Sequence, residues 1–369
     1  MKKACIFTFH NVPNYGAVLQ TYAMAHYIEK NLGYHVDIMD FQCKGNGSEF
    51  EPAEFIKTAC RSKKKLASIY KKMMMSLYFE KGYRRKYLRF QEFKKRNLSV
   101  IPYDMTYIYD AVILGSDQIW NPDITGGFQA EFFGQSKLIK GKTNVAYAAS
   151  CGDVSALSEA QTSDLIKYTG KLDYVGVREK SLSVFLQENG VKNTCTLDPT
   201  FLLSANEYNT LLQDKSQKTD PYILVYELQK DEEMEKLAFR IAKEKNLKVR
   251  MLVGFISYSK KKSYEIRDAG PTEFLSLIKN ADYILTNSFH GTAFSLIYKK
   301  DFNVVLPRTR TSRVIDLLNE IGLMNRIAGA NECELNFEHI DYEAIEDGLR
   351  KIEISSKSFL REALGGDTD

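Results

Sequence analysis

No stretch of this 369-residue chain approaches the ~18 consecutive apolar residues that cross a bilayer, so the sequence predicts no membrane-spanning helix. Cysteine is sparse and poorly spaced for chemistry. The six thiols, at 5, 43, 60, 151, 195 and 333, form neither a C-x-x-C pair nor a zinc-finger pattern. That argues against a metal site or a disulfide framework, and for a reduced, cytoplasmic protein. A G-x-G-x-x-G run is missing too, which removes the main sequence support for dinucleotide binding. What is abundant is tyrosine and phenylalanine, 22 and 21 residues, and this excludes a disordered chain. The length exceeds what one core usually serves and suits two domains. The opening MKKACIFTF resembles a leader, but its apolar run breaks at His10-Asn11 and reads better as a first strand.

The formal net charge of +4 conceals an asymmetry. Residues 57–96 hold fifteen Lys and Arg against Glu80 and Glu92, a local excess of thirteen positive charges, so the remainder is net negative. Leu66, Ile69, Tyr70, Met73, Met74, Leu77 and Tyr78 recur within this run at helical spacing. The pattern predicts a basic amphipathic helical hairpin, inserted over 52–97. One face suits packing on its own domain, and the other suits an anionic membrane surface or a phosphate-bearing lipid-linked substrate. No nucleic-acid motif accompanies the charge.

Strand and helix patterns alternate along the rest. Strands are predicted at 3–9, 35–41, 110–115, 143–149 and 173–177, with helices at 17–31, 159–169, 180–188 and 204–213. The alternation restarts with strands at 222–228, 248–253, 282–286 and 302–306, and helices at 231–245, 272–279, 292–299 and 312–320. This predicts an α/β fold of two doubly wound parallel domains, 1–212 and 221–340. The polar stretch 213–221 reads as the linker. Residues 341–369 read as a helical tail that packs back on the first domain.

Four strand-to-helix turns carry more polar groups than folding needs. In His10-Asn11-Val12-Pro13-Asn14-Tyr15-Gly16, Asn14 can cap the next helix and Gly16 leaves backbone room for a ligand. In Gly115-Ser116-Asp117-Gln118-Ile119-Trp120, an indole stands beside an acid, an amide and a hydroxyl, the residue types that grip a sugar. Asp117 can take a hydroxyl proton, or simply cap a helix. Arg178 follows the strand at 173–177, where a guanidinium can fork onto a phosphate or carboxylate, or pair with Glu179 at the surface. The fourth turn is Thr286-Asn287-Ser288-Phe289-His290-Gly291, an imidazole at an anion-friendly helix start. Of the five histidines, His26 and His35 read as structural, whereas His290 has no evident packing reason. Arg308, Arg310 and Arg313 cluster in the loop after the next strand.

NYGAVLQTYA (14–23), ILGSDQIWNPD (113–123), YAASCG (147–152), VGVREKS (175–181), LDPTFLL (197–203), the block around TNSFHGTAFS (274–297) and TSRVIDLLNEIGL (311–323) together resemble the polysaccharide pyruvyl transferase family. The resemblance runs in order along nearly the whole chain. It implies two Rossmann-like domains facing across a cleft, similar to the GT-B arrangement. It also implies transfer of pyruvate from phosphoenolpyruvate, as a cyclic ketal, onto two hydroxyls of a glycan or lipid-linked sugar in surface polysaccharide biosynthesis. His290 and Arg178 match the family's essential residues. Phosphoenolpyruvate would then meet Asn287, Ser288, Gly291, Arg308 and Arg313. The acceptor would meet His10, Asn14, Gly16, Ser116, Asp117, Gln118 and Trp120. Neither metal nor cofactor is implied, and the enzyme would be cytoplasmic or peripheral on the inner membrane face. Cys151 stands where many relatives carry phenylalanine, a packing variation. Two other classes share the pattern: a glycosyltransferase of the same shape using a nucleotide sugar, and a non-catalytic member keeping the fold.

Overall fold

A computed structural model of the chain describes residues 1–43, 66–212, 220–255, 260–306, 311–328 and 336–365, with the backbone alone over 66–81. The first sheet is parallel, in the order β3-β2-β1-β4-β5-β6-β7. Its strands are β1 (Lys2–Phe7), β2 (Tyr34–Asp40), β3 (Val100–Pro102), β4 (Tyr107–Leu114), β5 (Ile139–Ala149), β6 (Tyr174–Val177) and β7 (Thr194–Cys195). The second, also parallel, runs β10-β9-β8-β11-β12. It comprises β8 (Tyr222–Glu227), β9 (Lys248–Val253), β10 (Glu265–Ile266), β11 (Tyr283–Thr286) and β12 (Phe302–Val304). Burial on both faces explains why β8 and β11 are apolar without alternation.

The longer helices among the described residues are α1 (Tyr15–Leu32), α2 (Leu66–Asn97), α3 (Glu159–Thr169), α4 (Lys180–Glu188), α5 (Glu232–Glu244), α6 (Pro271–Asn280), α7 (Phe289–Ile297), α8 (Ser312–Glu320) and α9 (Tyr342–Leu364). In each sheet the order reverses beside the first strand, between β1 and β4 and between β8 and β11. Crevices open beyond the carboxyl ends of strands at such switch points. The turns after β1, β4 and β11 therefore lie where a ligand site is expected.

Several sequence expectations shift. Helix α7 begins three residues earlier than its apolar pattern suggests, because the Ser288 hydroxyl accepts the Gly291 N–H and caps it. His290 thus sits in the first helical turn rather than in a loop. The helix expected over 204–213 is five residues long, Ala205–Asn209, opened by a Ser204–Glu207 capping box. The strands β3, β7 and β10, two or three residues long, are too short for their period to register. Most of the expected linker, 213–219, lies outside the described residues.

The basic segment is described only in part. Over 66–97 it is one continuous helix, Gly82 alone being too weak a break. The remainder of the expected hairpin, 52–65, lies outside the described residues. Among the described side chains Phe90 and Phe93 are buried, as are Lys86 and Lys94. Arg89 donates to Asp268 O (2.7 Å) and pairs with Glu273 (3.2 Å), and Arg85 lies 3.3 Å from Asp268. Helix α2 therefore spans from the first half onto α6 of the second. At the other end, Tyr34 of β2 donates to Leu364 O (2.7 Å), and Ser356 accepts the Leu197 N–H. These contacts set α9 against the first sheet. No helix among the described residues is long and apolar enough to cross a membrane.

Candidate active site

Loops from the first sheet and two segments from the second converge on one buried cluster. Arg178 follows β6, and its backbone N–H donates to Ala149 O at 3.1 Å, which fixes the side chain beyond the strand end. The guanidinium is buried. Nη1 donates to Asp198 Oδ2 (2.9 Å), Nε lies 3.5 Å from Glu179 Oε1, and Nη2 lies 3.7 Å from Asp117 Oδ1. Glu179 is no surface partner: it is fully buried, and its Oε1 also accepts from Ser150 Oγ at 2.6 Å. Burial holds its carboxyl above the usual range, against the pull of Arg178 and Arg313.

Asp198 escaped notice in the sequence. It begins the turn after β7 and caps the short helix Pro199–Leu202, so D-P-T reads as ordinary capping chemistry. In three dimensions it is the centre of the site. Its Oδ1 accepts from Thr200 N (3.1 Å) and Thr200 Oγ1 (2.9 Å). Its Oδ2 receives Arg178, lies 3.4 Å from Ser116 Oγ and stands 3.6 Å from His290 Nε2. Burial opposes ionisation here, yet His290, Arg178 and the Thr200 N–H together hold the carboxyl well below its usual range.

His290 reaches this carboxylate from the second half. Its ring packs edge-on to Phe289, with centroids 5.3 Å apart, and lies against Gly16 at the start of α1. Asn14 caps α1 by accepting from Gly16 N and Ala17 N, which brings Gly16 to that contact. Phe289 also carries two cations: Arg178 at 5.6 Å and Arg313 at 5.3 Å from its ring centroid. Arg313 projects from the first turn of α8, and burial together with the charge of Arg178 pushes its pKa down to about 10. Buried polar atoms left without a hydrogen-bond partner converge here: Arg178 Nη2, Glu179 Oε2, His290 Nε2 and Arg313 Nε. Buried polar groups are ordinarily satisfied, so this concentration marks a place where a ligand or solvent completes the bonding.

Other expected site residues have structural duties. Trp120 is fully buried, donates to Phe132 O at 2.8 Å and stacks on Phe133 with centroids 5.2 Å apart, so it offers no face to a sugar. Its neighbours Ser116 and Gln118 are buried as well; Ser116 Oγ reaches Ala148 O (3.0 Å), and Gln118 Oε1 accepts from Asn121. Of that turn only Asp117 stays partly open, at φ 73°, a left-handed geometry that aspartate tolerates. Both ends of the Asn287 amide are spent on the loop after β8, accepting from Leu228 N and donating to Gln229 O, each at 2.7 Å. The Gly291 N–H is spent on the Ser288 hydroxyl, which accepts it. His10 joins a second polar cluster, its Nε2 3.4 Å from Asp40 Oδ1, with Asn11 and Lys94 beside it. Arg308 and Arg310 lie outside the described residues.

The chain matches the family model described as polysaccharide pyruvyl transferase over residues 14–306. No curated protein matches it. Among solved structures, a UDP-N-acetylglucosamine 2-epimerase is similar at 11% identity and a TM-score of 0.50, over 99% of this chain and 95% of that one. The UDP-GlcNAc 2-epimerase of Methanocaldococcus jannaschii is 14% identical, over 97% of this chain and all of that one, with a TM-score of 0.46. The glycosyltransferase SnogD from Streptomyces nogalater is 10% identical over 98% and 99%, with a TM-score of 0.41. The likeness to the first of these bears on the fold alone, a GT-B-like pair of Rossmann-like domains.

Proposed function

The chain belongs to the polysaccharide pyruvyl transferase family, and on that premise we propose that it moves the pyruvyl group of phosphoenolpyruvate onto two hydroxyls of a glycan or lipid-linked sugar. The observation that carries this reading is the meeting of Arg178 and His290 on one buried carboxylate oxygen, with Arg313 across the Phe289 ring. Guanidinium groups and an imidazole brought together in this way are the kinds of group that bind an anionic donor and deliver a proton.

In the proposed reaction His290, as imidazolium, protonates the methylene carbon of phosphoenolpyruvate, and oxocarbenium character builds at C2. One sugar hydroxyl attacks C2, its proton passing to a base. The phosphate then departs, and the second hydroxyl closes the ring. Of the two hydroxyl protons, one restores the acid and one leaves on phosphate, so atoms and charge balance. Asp117 is the carboxylate of the cluster partly open to an entering hydroxyl, which makes it the candidate base. Arg178 and Arg313 face three carboxylates, Asp117, Glu179 and Asp198, so the donor phosphate calls for further cations. Arg308, five positions before Arg313 in the sequence, is assigned to that task from its sequence position. No cofactor besides the donor substrate enters the scheme.

The test is incubation with phosphoenolpyruvate and a panel of lipid-linked or nitrophenyl glycosides, with mass detection of the pyruvate ketal. His290→Ala should lose turnover while donor binding survives, and Arg178→Ala should lose both. Phosphate release absent with every acceptor would favour a non-catalytic member. Full activity of either variant would remove that residue from its role.

A further inference from the structure

We infer that Asp198 is a positioning residue, whose carboxylate fixes the His290 ring and the Arg178 guanidinium relative to each other across the crevice. The kinetic consequence rests on the function proposed above; the structural consequence rests on geometry alone. Asp198 cannot swing freely, because Thr200 N and Thr200 Oγ1 hold Oδ1 at 3.1 and 2.9 Å. That leaves Oδ2 to face Arg178 Nη1 at 2.9 Å and His290 Nε2 at 3.6 Å. Arg178 has further carboxylates on its remaining edges, Glu179 and Asp117. The carboxylate facing His290 is Asp198, and Nε2 is buried with no hydrogen-bond partner.

A buried carboxylate beside one ring nitrogen selects the tautomer with its proton on that nitrogen. Asp198 therefore keeps a proton on Nε2 and leaves Nδ1 as the nitrogen that gives and takes one. The contact with Gly16 is compatible with this role. A Cβ at position 16 would lie 2.0 Å from Nδ1, and 2.2 and 2.3 Å from Cγ and Cε1. Near-equal distances to an atom and both its ring neighbours place that point above the ring face, not in its plane. Gly16 thus supports the face while the in-plane direction of Nδ1 stays clear of it. Asp198 comes from the first half and His290 from the second, so the pairing also sets the spacing of the two walls.

The experiment uses the full chain labelled with 15N-histidine. Five histidines make assignment practical, and the His290 signals are those that vanish in His290→Ala. Without substrate and at a pH where the ring is neutral, wild-type protein should show the Nε2–H tautomer, and Asp198→Asn should lose that single-tautomer signature. In the ketal assay, kcat of the same variant should fall on the order of 10²-fold, the scale of a misdirected acid–base group. Asp198→Glu keeps the charge but moves it by one methylene. It provides the same readout should the asparagine variant fail to fold. A His290 signature unchanged in the folded variant overturns the inference whatever happens to activity, since Asp198 would then be merely structural. A changed signature with wild-type kcat overturns it as well. If wild-type protein forms no ketal with any acceptor, the proposed function falls, and the spectra alone decide whether Asp198 fixes the ring.

Discussion

Position 16 has room for hydrogen only. A methyl group there would overlap the His290 ring, at 2.0 Å from Nδ1, so alanine forces the imidazole away from Asp198. Displacing a reacting group by about 1 Å can cost on the order of 10²-fold in rate. Gly16→Ala is therefore expected to lose about that much turnover while circular dichroism stays native, since α1 tolerates alanine in its first turn. Wild-type kcat in a folded Gly16→Ala protein would refute the contact. At this scale the sequence was legible in part. A glycine at a helix start and a histidine before a glycine both drew attention, but their contact across 274 positions of chain did not. Asp198 was invisible for a different reason: its local duty as a cap accounts for it completely until Arg178 and His290 arrive from elsewhere.

At the scale of elements, composition alone does not say what the charges of α2 do. Fifteen basic residues over 57–96 suggest a surface charged for an anionic partner. In the described part, however, Lys86 lies over the Tyr15 ring at 4.8 Å, Arg89 bonds to the loop before α6, and Lys94 donates to Asn11. These charges join elements of the protein. Joining them has a cost at Lys86, whose burial pushes its amine down to about 8. An amine held below its unfolded value of about 10.4 penalises the native state fully below pH 8. That penalty lifts as the pH rises from 8 toward the unfolded value. Lys86→Met should accordingly stabilise the protein at pH 7 by roughly 1–3 kcal/mol, the Tyr15 contact offsetting part of the gain. The gain should shrink as the pH approaches about 10. Denaturant titrations of both proteins at pH 7 and pH 10 check it, and a destabilised variant at pH 7 would contradict it.

For the whole molecule, the two sheets share a hydrophobic interface. One hydrophobic cluster includes Ile6 and Ile113 of the first sheet together with Leu224 and Ile284 of the second. Tyr15 stacks on Phe274 at 4.8 Å and donates to Ala269 O, while Lys180 of α4 ion-pairs with Glu320 of α8. Domains that share a hydrophobic interface lose the independence that small polar interfaces allow. Calorimetry should therefore record a single unfolding transition for both halves. Two resolved peaks would show that the shared cluster couples them weakly.

The sequence by itself determined the alternating strands and helices, the restart after residue 221 and the family. Each of these rests on local periodicity, capping and short blocks of residues that survive as text. Only the tertiary structure decided which polar residues meet. Trp120 went into the core because a flat apolar ring gains more against Phe133 than in water. Asn287 was absorbed by backbone groups that burial would have left unpaired. Asp198 and Arg178 came together because β6 and β7 are neighbours in the first sheet, and His290 joined them because the two halves pack on each other, neither of which is a property of any local run of residues.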